Sequence, residues 1–139
     1  MSGFRLADGG RIDRRTKRTF SFDGKARWGY SGDSLASALL AQGQMLFGRS
    51  FKYHRPRGIL GAGVEEPNAL VTVDRGPGRV TPNLRAPSVP VHDGLTATSQ
   101  NRFPSLRFDM VALNDQFGAF FPAGFYNKTF MWPRAAWEK

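Results

Sequence analysis

The residues best equipped for chemistry lie between Arg49 and Val71, in RSFKYHRPRGILGAGVEEPNALV. Arg49, Lys52, Arg55 and Arg57, with His54 as a fifth potential cation, interleave with Phe51 and Tyr53. Such a run suits an anion: a phosphate, a carboxylate or a nucleic acid. Two plainer roles compete with it, a solvated charged strand whose aromatics face the core, and ion pairs to Glu65, Glu66 or a neighbouring chain. Gly58, Gly61 and Gly63 follow within six positions. Glycine reaches positive φ at low cost, so this loop is expected to close tightly around something.

The spacing of the loop is informative. Plant-type [2Fe–2S] ferredoxins hold their cluster with C-x4-C-x2-C and a later fourth cysteine. With the first position on Gly61, the second falls on Glu66 and the third on Ala69, and Pro87 is the candidate for the fourth. The chain has no cysteine, so no thiolate is available to grip iron. One glutamate among Gly, Ala and Pro is no substitute metal site. The histidines, His54 and His92, have no evident Ser, Cys or carboxylate partner in the sequence, which argues against a hydrolytic triad. No GxGxxG nucleotide fingerprint occurs.

The elements around this loop follow from local pattern. Phe20 and Phe22 alternate with polar neighbours, Asp23-Gly24 makes a turn, and Ala26, Trp28 and Tyr30 alternate on the return, which predicts a hairpin over 19–30. Asp33 is the expected N-cap of a helix carrying Leu35, Ala38, Leu39 and Gln42 on one face and ending at Gly43. A third strand is expected from Met45 to Tyr53, with Met45, Phe47, Phe51 and Tyr53 inward. Leu70 to Asp74 predicts a fourth strand, and Arg75-Gly76-Pro77-Gly78 a turn. Val80 to Ala86 reads as an edge segment, because Pro82 cannot sit in a central strand. Leu95 to Ser99 reads as a last strand. This order fixes an α+β class.

The ends differ in composition. Residues 1–18 carry six Arg or Lys against two Asp and predict a loose basic arm, suited to an acidic partner surface. Residues 100–139 hold ten aromatics in forty positions, too much apolar surface for a free tail, so they are expected to pack on this domain, another domain or another chain.

The chain of 139 residues is long enough for one modest core, and 40% hydrophobic content with 22% charged residues fits a globular domain. Its net charge of +9, mostly from arginine, requires a nucleic-acid partner to be weighed against an acidic subunit or an anionic cofactor. No apolar run approaches the roughly 20 residues of a membrane span, and the N-terminus lacks the apolar segment of a signal peptide. A soluble cytoplasmic protein is the expectation.

The stretch GRSFKYHRPRGI, followed by GVEEPNALV, resembles the N-terminal region of the α subunit of heterotetrameric sarcosine oxidases. That region belongs to a wider group of [2Fe–2S]-ferredoxin-like β-grasp domains in amine, opine and cyanide-forming oxidoreductases. The likeness runs from about Phe20 to the C-terminus and includes FDGKARWGYSGDSLASALLAQG and the closing WPRAAWEK. The absent cysteines favour the sarcosine oxidase branch over the cluster-binding branches.

This resemblance implies a β-grasp sheet over 19–99 with no cluster and a non-catalytic, architectural role. It also implies that the extension over 100–139 leads into a Rossmann-type dinucleotide-binding domain and that the subunit joins others in a hetero-oligomer. The whole complex would oxidise the N-methyl group of sarcosine, using FAD, FMN, NAD and tetrahydrofolate and forming hydrogen peroxide. Arg49, Lys52, His54, Arg55 and Arg57 would face an interface or, more sharply, a flavin or dinucleotide phosphate. The alternatives are the corresponding subunit of an amine, proline or opine dehydrogenase, and a basic nucleic-acid-binding module.

Overall fold

The structure is a computed structural model and describes residues 4–115. The hairpin forms as its turn chemistry dictates. Strand β1 (Asp13–Phe22) pairs antiparallel with β2 (Lys25–Ser31), and Asp23 and Gly24 between them have φ of 52° and 73°. Positive φ at both central residues is the turn whose twist matches that of the flanking strands. β1 begins inside the stretch expected as a basic arm, and Phe20 and Phe22 point into the core.

The return strand presents its expected apolar set outward. Trp28 is exposed and meets Tyr30 edge-on at 5.5 Å between ring centroids, with the Lys17 ammonium over the Trp28 ring and the Arg5 guanidinium over the Tyr30 ring. Gly29 takes the inward position because the helix crosses there. A Cβ on Gly29 would stand 2.9 Å from the Ala38 Cβ, closer than two carbons can approach.

Helix α1 (Leu35–Ala41) buries Leu35, Ala36, Ala38 and Leu39. Seven residues are too few for an isolated helix in water, so packing and capping sustain it. The N-cap is Ser34 rather than the expected Asp33: the Ser34 hydroxyl accepts from the Ser37 N–H, and the Ser37 hydroxyl oxygen accepts from the Ser34 N–H. The reciprocal box satisfies two helix-end donors at once. Asp33 is thereby released to accept from the Tyr30 N–H, the Ser37 hydroxyl and both terminal nitrogens of Arg5, the last at 2.7 and 3.2 Å. Gly43, with φ of 78°, ends the helix as expected.

Strands β5 (Leu70–Asp74), β6 (Val80–Arg85) and β7 (Thr96–Ser99) complete the main sheet. Its order among the described residues is β2-β1-β7-β5-β6, with β1 and β7 parallel and every other pair antiparallel. A mixed sheet with one main helix on its face is the expected ferredoxin-like β-grasp arrangement. β6 lies at the edge, as Pro82 requires. Val71, Val73 and Ala97 from the central strands and Leu95 just before β7 meet Phe20, Phe22 and the helix in the core.

The third strand does not run from Met45 to Tyr53. Only Gly48–Arg49 (β3) is extended and paired, with Pro56–Arg57 (β4). The chain turns back between them: the His54 N–H donates to the Ser50 carbonyl, the Arg55 N–H donates to the Ser50 hydroxyl, and His54 has φ of 52°. Phe47 is inward, Tyr53 is half-buried, and Met45 and Phe51 are exposed. Beyond β7 the chain packs back through Leu106 and Asp109, both buried, while Phe103 and Phe108 stay exposed. The expected aromatic positions from Phe117 to Trp137 lie outside the described residues.

Candidate functional site

The glycine-rich loop closes on one of its own side chains. Glu66 is fully buried, and its carboxylate accepts four backbone N–H groups. Oε1 takes those of Asn68 at 2.7 Å and Ala69 at 3.0 Å; Oε2 takes that of Leu60 at 2.7 Å and that of Gly61. Burial pushes the Glu66 carboxyl up, but the four donors, Gly61 first among them, outweigh it and hold the group below the ordinary glutamate range. Gly58, Gly61 and Gly63 have no positive φ. Close approach to backbone requires glycine at one of them: a Cβ on Gly58 would stand 3.0 Å from the Met45 carbonyl oxygen, whereas one on Gly63 would meet the movable Glu65 carboxylate at 2.8 Å and one on Gly61 would stand an ordinary 3.4 Å from the Glu66 Cα.

The basic run divides. Arg49 is buried: Nε and Nη2 donate to the Leu106 carbonyl at 2.9 and 2.6 Å, and Nη1 donates to the His54 carbonyl at 2.7 Å. The Arg49 Nε also lies 3.5 Å from the Asp109 carboxylate. His54 Nδ1 lies 3.0 and 3.1 Å from the two Asp109 oxygens, so this histidine does have a carboxylate partner, 55 residues away in sequence. Asp109 further accepts from the backbone N–H groups of Phe103, Val111 and Ala112. Burial raises the Asp109 carboxyl, and the His54 contact followed by the Phe103 N–H brings it below the usual range. Among the described residues no third group completes a triad, because the neighbours of this pair are backbone amides and Arg49.

Lys52 and Arg55 both lie over the Tyr53 ring, at 5.4 and 5.1 Å. Arg57 donates to the Asn68 side chain at 2.9 Å. Arg57 and Arg49 line a surface cleft of about 370 Å³ with Phe51, Asn68, Asn83 and Gln100. The cleft offers an anion one partly exposed guanidinium and several amide groups. Sequence reasoning missed Asp109, because nothing local links it to His54. It also missed what Glu66 does, although a carboxylate at a ligand position among closely spaced glycines was the available signal.

The buried carboxylates carry a pH prediction. Asp33, like Glu66 and Asp109, is held below its ordinary range, here by Arg5, the Tyr30 N–H and Ser37 against the upward push of burial. Groups with depressed folded pKa values contribute full stability above their unfolded values and lose it as pH falls through the folded ones. Unfolding free energy measured against pH is therefore expected to be level from about pH 7 to 5 and to fall steadily below about pH 4. A profile unchanged down to about pH 2 would contradict the role of these three groups.

A family model described as "2Fe-2S iron-sulfur cluster binding domain" matches residues 15–102. The residues present do not fit such a cluster: Gly61, Glu66, Ala69 and Pro87 offer no sulfur, and the loop donors converge on a carboxylate. Among the described residues no three His, Cys, Asp or Glu side chains group as a metal site, and no helix is long and apolar enough to cross a membrane. The chain is 60% identical over all 139 residues to the sarcosine oxidase subunit alpha of Rhizobium meliloti (strain 1021), spanning 14% of that protein. It is 49% identical over 90 residues to the subunit alpha from Corynebacterium sp. (strain P-1), covering 63% of this chain and 9% of the relative. A crystal structure of L-proline dehydrogenase from P. horikoshii superposes with a TM-score of 0.51 at 26% identity, over 70% of this chain and 18% of that one.

Proposed function

The chain belongs to the 2Fe-2S iron-sulfur cluster binding domain family, and we propose that within it this chain is a cluster-free accessory domain of a sarcosine oxidase α subunit, cytoplasmic and working through packing rather than electron transfer. The observation that carries the proposal is 60% identity over the entire chain to a sarcosine oxidase subunit alpha. The homology covers 14% of that relative, and in this reading catalysis would belong to the remainder of a larger assembly. That assembly would oxidise the N-methyl group of sarcosine and reduce oxygen to hydrogen peroxide, with FAD, FMN, NAD and tetrahydrofolate bound outside this segment. The domain would contact a following dinucleotide-binding domain and at least one other subunit. Its net charge of +9 fits an acidic partner surface.

The arrangement of the basic run supports an architectural role. Arg49 and His54 are committed to an internal network, and Arg57 is the arginine left beside open cleft volume. A second function has one observation in its favour, the structural likeness to L-proline dehydrogenase: a related dehydrogenase subunit using another electron acceptor. The assay runs on the full-length protein with its co-expressed subunits. Sarcosine-dependent hydrogen peroxide is the expected result, and proline-dependent dye reduction without peroxide would establish the second function instead. In the same preparation Arg57→Ala is expected to leave flavin content and turnover within about twofold of the unmodified protein. Loss of flavin on that substitution would move the cleft from packing to cofactor binding.

A further inference from the structure

We propose that the loop over residues 60–69 is an anion cradle and that the Glu66 carboxylate is its permanent occupant, seated where this family's spacing would place a cluster ligand. The proposal goes beyond the accessory role and does not rest on which enzyme the domain serves. Successive backbone N–H groups aimed at one point form a concavity that binds anions, and iron–sulfur sites are among the groups such concavities hold. Here the N–H groups of Leu60, Gly61, Asn68 and Ala69 converge from both sides of the loop on two oxygens of one side chain. A ferredoxin cluster bound by thiolates is itself an anion. Deleting every cysteine would leave four convergent donors without an acceptor, that of Ala69 fully buried, and an unmet buried donor is costly.

Glu66 sits at the second position of the C-x4-C-x2-C spacing, so a side chain from a ligand position reaches the place a cluster would fill. The glycines complete the argument. A Cβ on Gly61 would stand 3.1 Å from a Glu65 carboxylate oxygen and 3.4 Å from the Glu66 Cα, so the loop lies close over the residue whose carboxylate its N–H groups hold. Glu66 also ties the cradle to the sheet. The Ala69 N–H it holds belongs to the residue just before β5, whose carbonyl accepts from the Ala86 N–H, and the Glu66 carbonyl accepts from Arg85 at the end of β6.

The experiment is hydrogen exchange of peptides covering residues 58–70, followed by mass spectrometry in the full-length protein with its partners. In Glu66→Ala, exchange of this loop is expected to accelerate about tenfold or more, since each lost contact is charge-assisted. Sodium formate, the smallest carboxylate, is expected to restore protection in a saturable way that sodium chloride at equal ionic strength does not reproduce. Formate is expected to leave the unmodified protein unchanged. Should Glu66→Ala fail to fold, Glu66→Gln keeps the shape but puts an amide NH₂ against one pair of donors. It is expected to lose protection at either Leu60–Gly61 or Asn68–Ala69 while retaining the other pair. Full protection in Glu66→Gln, or acceleration in Glu66→Ala that formate and chloride affect alike, would overturn the proposal.

Discussion

Asp109→Ala is expected to destabilise the chain by about 3–5 kcal/mol, the range for removing one partner of a buried charge pair. The Asp109 side chain is fully shielded from solvent and the Arg49 side chain nearly so, at 8% exposure. Removing the carboxylate leaves the Arg49 guanidinium without its counter-charge and His54 without its carboxylate partner, and it orphans the Phe103 and Val111 N–H groups, while the Ala112 N–H keeps the backbone carbonyl of residue 109. Arg49 would keep its bonds to the Leu106 and His54 carbonyls, which neutralise no charge. Urea unfolding of the 139-residue chain measures the effect as a lower midpoint at unchanged slope. Asp109→Asn keeps the shape and part of the hydrogen bonding, so its loss is expected to be smaller. A loss under about 1 kcal/mol in Asp109→Ala would show that Leu106 alone docks the segment after β7.

Phe47→Ala is expected to cost a similar amount, about 3–5 kcal/mol, as a large core side chain replaced by a cavity. Phe47 has no exposed surface, and its ring centroid lies 6.3 Å from that of Phe22. Its backbone N–H donates to the Arg57 carbonyl, a bond that Phe47→Ala keeps, so the loss reports the ring alone. Phe51→Ala is the matched control. It removes the same ring from a position that is 80% exposed, and its effect is expected to stay within about 0.5 kcal/mol. Equal losses at the two positions would mean that Phe51 is covered in solution.

The contrast between Phe47 and Phe51 shows where sequence pattern stops carrying information. Alternation alone placed both inward along one strand. What bends the chain after Arg49 is the burial of that arginine against Leu106 and Asp109, both more than fifty residues later, and no local window contains that contact. The β1–β2 hairpin was legible because its information is local: a turn pair requiring positive φ, between alternating residues. The face of β2 was not, because Trp28 and Tyr30 outweigh Gly29 in any hydrophobicity count, yet only the missing side chain of Gly29 lets Ala38 approach. The cap moved by one residue because Ser34 and Ser37 satisfy each other, which frees Asp33 for Arg5.

The candidate site divides in the same way. The Glu66 donors lie within six residues of it, so its embrace by the loop was readable in principle from glycine spacing. Asp109 was invisible beside His54 for the opposite reason. The lost cluster was the plainest statement of all, since a count of zero cysteines settles ligand chemistry without any geometry.

The strand order has a consequence for how the protein is made. β7 lies between β1 and β5, which do not pair with each other, although it is the last of the described strands to leave the ribosome. Until Thr96–Ser99 emerges, the two early hairpins are separate ribbons, each with an open edge towards the gap. Such edges invite pairing with a neighbouring nascent chain, and closure must await the Ser21–Thr96 and Phe22–Ala97 pairs, each spanning 75 residues. Ribosome-stalled chains ending before Thr96 should therefore be the aggregation-prone ones, and those with β7 free of the exit tunnel should not.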